Sequence, residues 1–131
     1  MDIGFLNHLT DSQINERGIL MKKPLDLISY YIDICMQWGY SETAGKANKI
    51  YDKIRSTERK LKETEKGTQQ LISILSHSDG YVRLNAASTL LNIVPREAEK
   101  CLEELSKERG TLGFISEITL QEWRKGTLKI Q

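Results

Sequence analysis

The stretch LISILSHSDGYVRLNAASTLL, residues 71–91, decides how this chain folds. Leu71, Ile72, Ile74 and Leu75 crowd into five residues and read as the apolar face of a short helix, Thr68 to Ser76. His77-Ser78-Asp79-Gly80 is a turn, and Asp79 stands where a carboxylate accepts from the free N–H groups that open the next helix. That helix, Tyr81 to Ile93, carries Val82, Ala86, Ala87, Leu90, Leu91 and Ile93, and the small residues in its middle let a neighbour approach closely. The unit is a helical hairpin.

Helical spacing continues on both sides of it. Val94 precedes Pro95, and proline suits the first position of a helix. The helix Pro95 to Arg109 places Ala98, Cys101, Leu102 and Leu105 at i, i+3, i+4 and i+7. Gly110 breaks it, and a last helix, Gly113 to Lys125, sets Leu112, Ile115, Leu120 and Trp123 on one side and Phe114 with Ile118 on the other. On that side Trp123 is expected to be buried as a terminal lid. Toward the N-terminus, Ser41 reads as the cap of a long charged helix, Glu42 to Lys66, with a thin apolar stripe of Ala44, Ala47, Ile50/Tyr51, Ile54 and Leu61 and a stop at Gly67. Before it, Leu25 to Trp38 is apolar over most of its girth, which predicts a central helix packed on several sides. Strand signals are scarce, and the connections are short. The expected architecture is all-α, a stack of antiparallel helical hairpins with about five to seven helices in one domain over residues 24–131. Residues 1–23 read as an N-terminal extension or short helices, one with Ile3, Phe5, Leu6 and Leu9 and a second with Ile14, Ile19 and Leu20. Residues 1–20 also read as an extension upstream of a second start at Met21.

The chain has 131 residues, with 39% hydrophobic and 28% charged, enough for one domain that buries roughly two-thirds of its unfolded surface. Its 19 basic and 18 acidic residues leave a formal net charge of +1, which argues against a protein whose main task is to coat nucleic acid. Charge is nonetheless uneven. Residues 1–45 hold 3 basic and 6 acidic groups, residues 46–67 hold 8 and 4, and residues 68–131 hold 8 and 8. Two candidate docking regions follow for a protein partner: the acidic part with Asp26 and Asp33, and the basic helix with Lys53, Arg55 and Lys60. Asp52, Glu58, Glu63 and Glu65 interleave with those cations, the pattern of a solvated helix with i,i+4 pairs.

Catalytic and cofactor chemistry find no pattern. His8 and His77 lack metal-ligand spacing, His77-Ser78-Asp79 is too local to orient as a triad, and Gly110-Thr111-Leu112-Gly113 lacks the Lys and the strand of a phosphate loop. The expectation is a non-enzyme with no cofactor and no metal. Cys35 and Cys101 are isolated among apolar residues, the setting of reduced thiols in a cytoplasmic protein, and no stretch is long and apolar enough to span a bilayer.

The pattern D-x-x-V-R-x-x-A-A-x-x-L, residues 79–90, resembles one HEAT repeat. With Pro95-Arg96-Glu97-Ala98 and the segment Gly113 to Gly126, the chain resembles a small bacterial HEAT-like helical-repeat family of unknown function, whose members often sit beside polymorphic-toxin genes. The resemblance implies that Asp79 caps a helix while Arg83 bonds to an adjacent turn, a structural pair. It also implies a protein partner, a cognate toxin domain, neutralised by direct binding in bacterial competition. Only one repeat is clear, which argues against an extended peptide-binding solenoid.

Overall fold

The computed structural model describes residues 26–130. The chain runs α1 (Leu27–Gly39), α2 (Ala44–Lys62), α3 (Glu65–Ser73), a 3-10 turn (Ile74–Ser76), α4 (Gly80–Leu90), α5 (Pro95–Leu105) and α6 (Gly110–Lys125). The described residues are all-helical, with six α-helices and no strand. The expectations for residues 1–23 lie outside the described residues.

Local chemistry sets the boundaries. Asp26 Oδ1 accepts from Ser29 N at 2.9 Å, Thr43 Oγ1 from Lys46 N at 3.2 Å, and Thr64 Oγ1 from Gly67 N at 2.9 Å, each relieving a donor that the first helical turn leaves free. Asp79 Oδ1 takes two, from Tyr81 N at 2.9 Å and Val82 N at 3.1 Å. Pro95 opens α5 at its first turn. Gly126 closes α6 in the left-handed conformation at φ 78°, behind Arg124 and Lys125.

Several boundaries differ from the sequence reading: α4 ends at Leu90 rather than Ile93, α5 ends at Leu105 rather than Arg109, and others move too. Ser41 caps nothing: its hydroxyl donates to the Gln37 carbonyl at 2.8 Å, and Thr43 is the cap of α2. The expected single helix Glu42 to Lys66 is two, because Thr64 starts a new one. Gly67 is therefore not a stop but a close-packing point in the first turn of α3, where a Cβ would run into the Leu61 carbonyl. Gly113 does the same at the entry to α6, against the Glu108 carbonyl, so α6 begins at Gly110 rather than at Gly113. Gly67 packs on the end of α2 and Gly113 on the turn that precedes α6, and neither place has room for a side chain.

The core gathers around α4. Val82, Leu84, Asn85, Ala86, Ala87, Thr89 and Leu90 are buried, so this helix is covered on all sides by α1, α3, α5, α6 and the 3-10 turn. The girth of apolar residues on α1 suggested that α1 would be central, but only Tyr31, Ile34 and Cys35 are buried there. The alanines explain the exchange of places: small side chains admit neighbours on several sides, whereas bulky ones fill one side. Leu71, Leu102, Leu105 and Leu120 complete the core from α3, α5 and α6. No described helix is long and apolar enough to cross a membrane.

Candidate functional site

The long helix α2 carries three different chemistries on three faces. At about 100° per residue, Ile54, Thr57, Glu58 and Leu61 point inward, and all four are buried. Lys46, Lys49, Lys53 and Lys60 fall together on one flank, all exposed, over roughly 21 Å of helix at 1.5 Å per residue. None of these lysines has an ion-pair partner among the described residues. Arg55, two residues from Lys53 and so about 200° around, lies on the opposite flank with Tyr51. Lys53 and Lys60 thus share a surface, and Arg55 does not belong to it.

The interleaved acids do not neutralise that surface. Asp52 makes no ion pair with it, Glu63 is the C-cap of α2, Glu65 belongs to α3, and Glu58 is inside the protein at 6% exposure. Glu58 Oε2 accepts from Tyr31 Oη at 2.7 Å across the α1–α2 contact. Arg55 Nε stands 3.8 Å from Glu58 Oε1, within Coulombic range but too far for a hydrogen bond, so this buried nitrogen has no hydrogen-bond partner. Lys62 reaches inward to α4, donating from Nζ to Thr89 Oγ1 at 2.8 Å and to the Thr89 carbonyl at 3.1 Å. Burial raises the Glu58 carboxyl above the usual range, while Tyr31, Arg55, Lys62 and Thr89 pull it back down. Burial and Glu58 push the Tyr31 phenol and the Cys35 thiol up, and desolvation lowers Lys62. Sequence reading took Glu58 for a solvated residue, yet it fills the gap in the stripe between Ile54 and Leu61, and that gap was the available signal.

Beside this cluster a cleft of about 170 Å³ opens where α1, α2, α4, α6 and the C-terminal tail meet. Trp38, Tyr51, Arg55, Asn85, Ile115 and Leu128 are among its walls. The Arg55 guanidinium sits over the Tyr51 ring, 5.4 Å from its centroid, and Nη1 donates to Tyr51 Oη at 2.6 Å. Tyr81 buttresses the α1 end, edge-on to Trp38 at 5.9 Å and to Tyr40 at 5.4 Å. Nothing in the sequence spacing brings these residues together, since they come from four helices and the tail.

Among the described residues, Asp26, Asp33, Asp79 and Trp123 have structural partners, and Arg83 does not. Asp26 caps α1, and exposed Asp33 accepts from Gln37 Nε2 at 2.7 Å, one turn along the same helix. Asp79 caps α4 and also accepts from Tyr40 Oη at 3.0 Å, a bond that raises the Tyr40 phenol above its usual range. Arg83 corrects an expectation: it forms no ion pair among the described residues, and its Nε is buried without a hydrogen-bond partner. Trp123 is half-buried rather than a closed lid, with Nε1 donating to Glu99 Oε2 at 3.1 Å. Arg124 joins the same carboxylate at 3.2 Å and Glu103 at 2.8 Å. Among the described residues no three acidic, cysteine or histidine side chains gather as a metal site.

The architecture of the described residues defines a class, an all-α domain of six helices with α4 at its centre. Compared with family models, curated proteins and solved structures, the chain shows no match.

Proposed function

We propose that this domain is a non-enzymatic, cytoplasmic protein-binding module, and that its best reading is an immunity protein that neutralises a cognate bacterial toxin by direct binding. The observation that carries the binding reading is the lysine flank of α2, four exposed cations on one helix without ion-pair partners among the described residues. Such a surface raises the on-rate for a partner of opposite charge, and a preformed helix pays little ordering entropy on docking. The acidic face of a toxin domain fits it. The toxin-immunity part rests on the resemblance of residues 71–91, 95–98 and 113–126 together to a small bacterial HEAT-like family. A general interaction scaffold is the alternative.

The test is co-expression of the neighbouring gene product in a sensitive strain, with and without this protein. Rescue of growth and a complex on size exclusion support the reading, and equal growth with no complex overturns it. In the complex, Lys49→Glu/Lys53→Glu/Lys60→Glu should slow association by about tenfold or more at low salt with the melting temperature unchanged. Binding to nucleic acid that weakens steeply with salt, without any protein complex, would replace it with a phosphate-binding function.

A further inference from the structure

The cleft at the junction of α1, α2, α4 and α6 has properties that the lysine flank does not. At about 170 Å³ it is smaller than the roughly 300–1,000 Å³ of ordinary small-molecule sites, and suits a single side chain. Among the described residues Arg55 is the one charged residue lining it. Arg55 and Lys62 both face the buried carboxylate of Glu58, so the described groups of this cluster carry one positive charge in excess. Donors also remain. Arg55 uses Nη1 on Tyr51 but has further N–H groups, and Asn85, buried at 8% exposure, commits one amide hydrogen to the Tyr81 carbonyl and keeps the other. Trp38 Nε1 makes no hydrogen bond among the described residues. Leu84, Ile115 and Leu128 supply apolar wall for a methylene stem.

We propose that this cleft is the socket for one acidic side chain, a carboxylate on a short apolar stem, presented by the protein partner. The inference rests on the protein-binding reading and names the chemistry of the residue that anchors it. The carboxylate meets the Arg55 guanidinium and the Asn85 amide, and its stem lies between Trp38 and the leucine and isoleucine wall. A planar, multi-donor guanidinium suits a carboxylate better than an ammonium does.

The full chain, labelled with nitrogen-15, can be titrated with N-acetyl-Leu-Glu-Leu-amide, its glutamine counterpart and free glutarate. The glutamate peptide should shift the Trp38 indole and Asn85 side-chain signals, binding at least about tenfold more tightly than the other two. Arg55→Gln should remove that preference. Because Arg55 also faces Glu58, a second variant, Thr119→Phe, fills the cleft from α6 with Arg55 intact and should abolish the shifts. Equal binding of the glutamine peptide, equal binding of glutarate, or shifts unchanged in folded Thr119→Phe would each overturn the socket. Loss of the titration while partner binding survives fails the socket alone. A failed growth rescue with the titration intact fails the immunity reading alone.

Discussion

The two sides of α4 are held by different physics. Toward α1 and α2 the contact contains ionisable groups: Tyr31 donates to Glu58, and Lys62 crosses to Thr89. Toward α5 the contact is hydrocarbon and sulfur: Ala98, Cys101, Leu102 and Leu105 are buried, and the nearby charges of Arg124, Glu99 and Glu103 stay at the surface. A hydrocarbon contact tolerates any pH and forgives small shifts in register. A buried carboxylate must have each partner in place, so it selects one arrangement of α1 and α2 and makes that half of the fold sensitive to protonation.

Removing the acid itself should have the largest effect. Glu58→Ala leaves Arg55 and Lys62 facing no counter-charge and Tyr31 without its acceptor, and should cost about 3–5 kcal/mol by denaturant unfolding. On the other side of α4, Leu102→Ala opens a cavity at a fully buried position and should cost about 2–5 kcal/mol, with no change in pH dependence. Glu58→Gln separates the two sides by pH. The folded Glu58 carboxyl lies above its unfolded value, so its contribution to stability is full below the ordinary carboxylate range and is lost as pH rises through the folded value. The melting temperature of the native protein should therefore fall relative to Glu58→Gln as pH rises across that window; parallel profiles would show that the carboxylate is not desolvated. Tyr31→Phe removes one hydrogen bond to a charged group and should cost about 1.5–3 kcal/mol. Smallest is the cap, Asp79→Ala, at about 0.5–2 kcal/mol, and it should also return the Tyr40 phenol toward its ordinary range in a spectroscopic titration.

The comparison also explains which residues were legible in the chain. The α3–α4 hairpin, the Asp79 cap, Pro95 at the start of α5 and the apolar spacing of α5 were readable because caps, proline and i, i+4 periodicity act within a few residues. Gly67 reads as a stop signal and Gly113 as a helix start because a boundary glycine and a close-approach glycine look alike in sequence. Only the carbonyls of Leu61 and Glu108, packed against them, tell the two kinds apart. Ser41 reads as the cap of the second helix, but the turn after α1 extends two residues further and Thr43 is the cap. The basic helix was legible as basic, but not as split: Lys53 and Lys60 share a flank, while Arg55 turns to Tyr51 and the cleft.

By itself, then, the sequence determined an all-α chain, the Asp79 cap, the proline start of α5 and the apolar spacing of α3, α4 and α5, since these follow from periodicity and short-range hydrogen bonding. Tertiary structure alone decided that α4 rather than α1 is surrounded, that Glu58 is inside, that Arg83 lacks an ion pair, and that four helices and the tail enclose a cleft beside Arg55. The physical reason is range. A cap or an amphipathic stripe is settled by neighbours within one or two turns, whereas burial of a charge and closure of a cleft depend on which distant helices arrive at the same place.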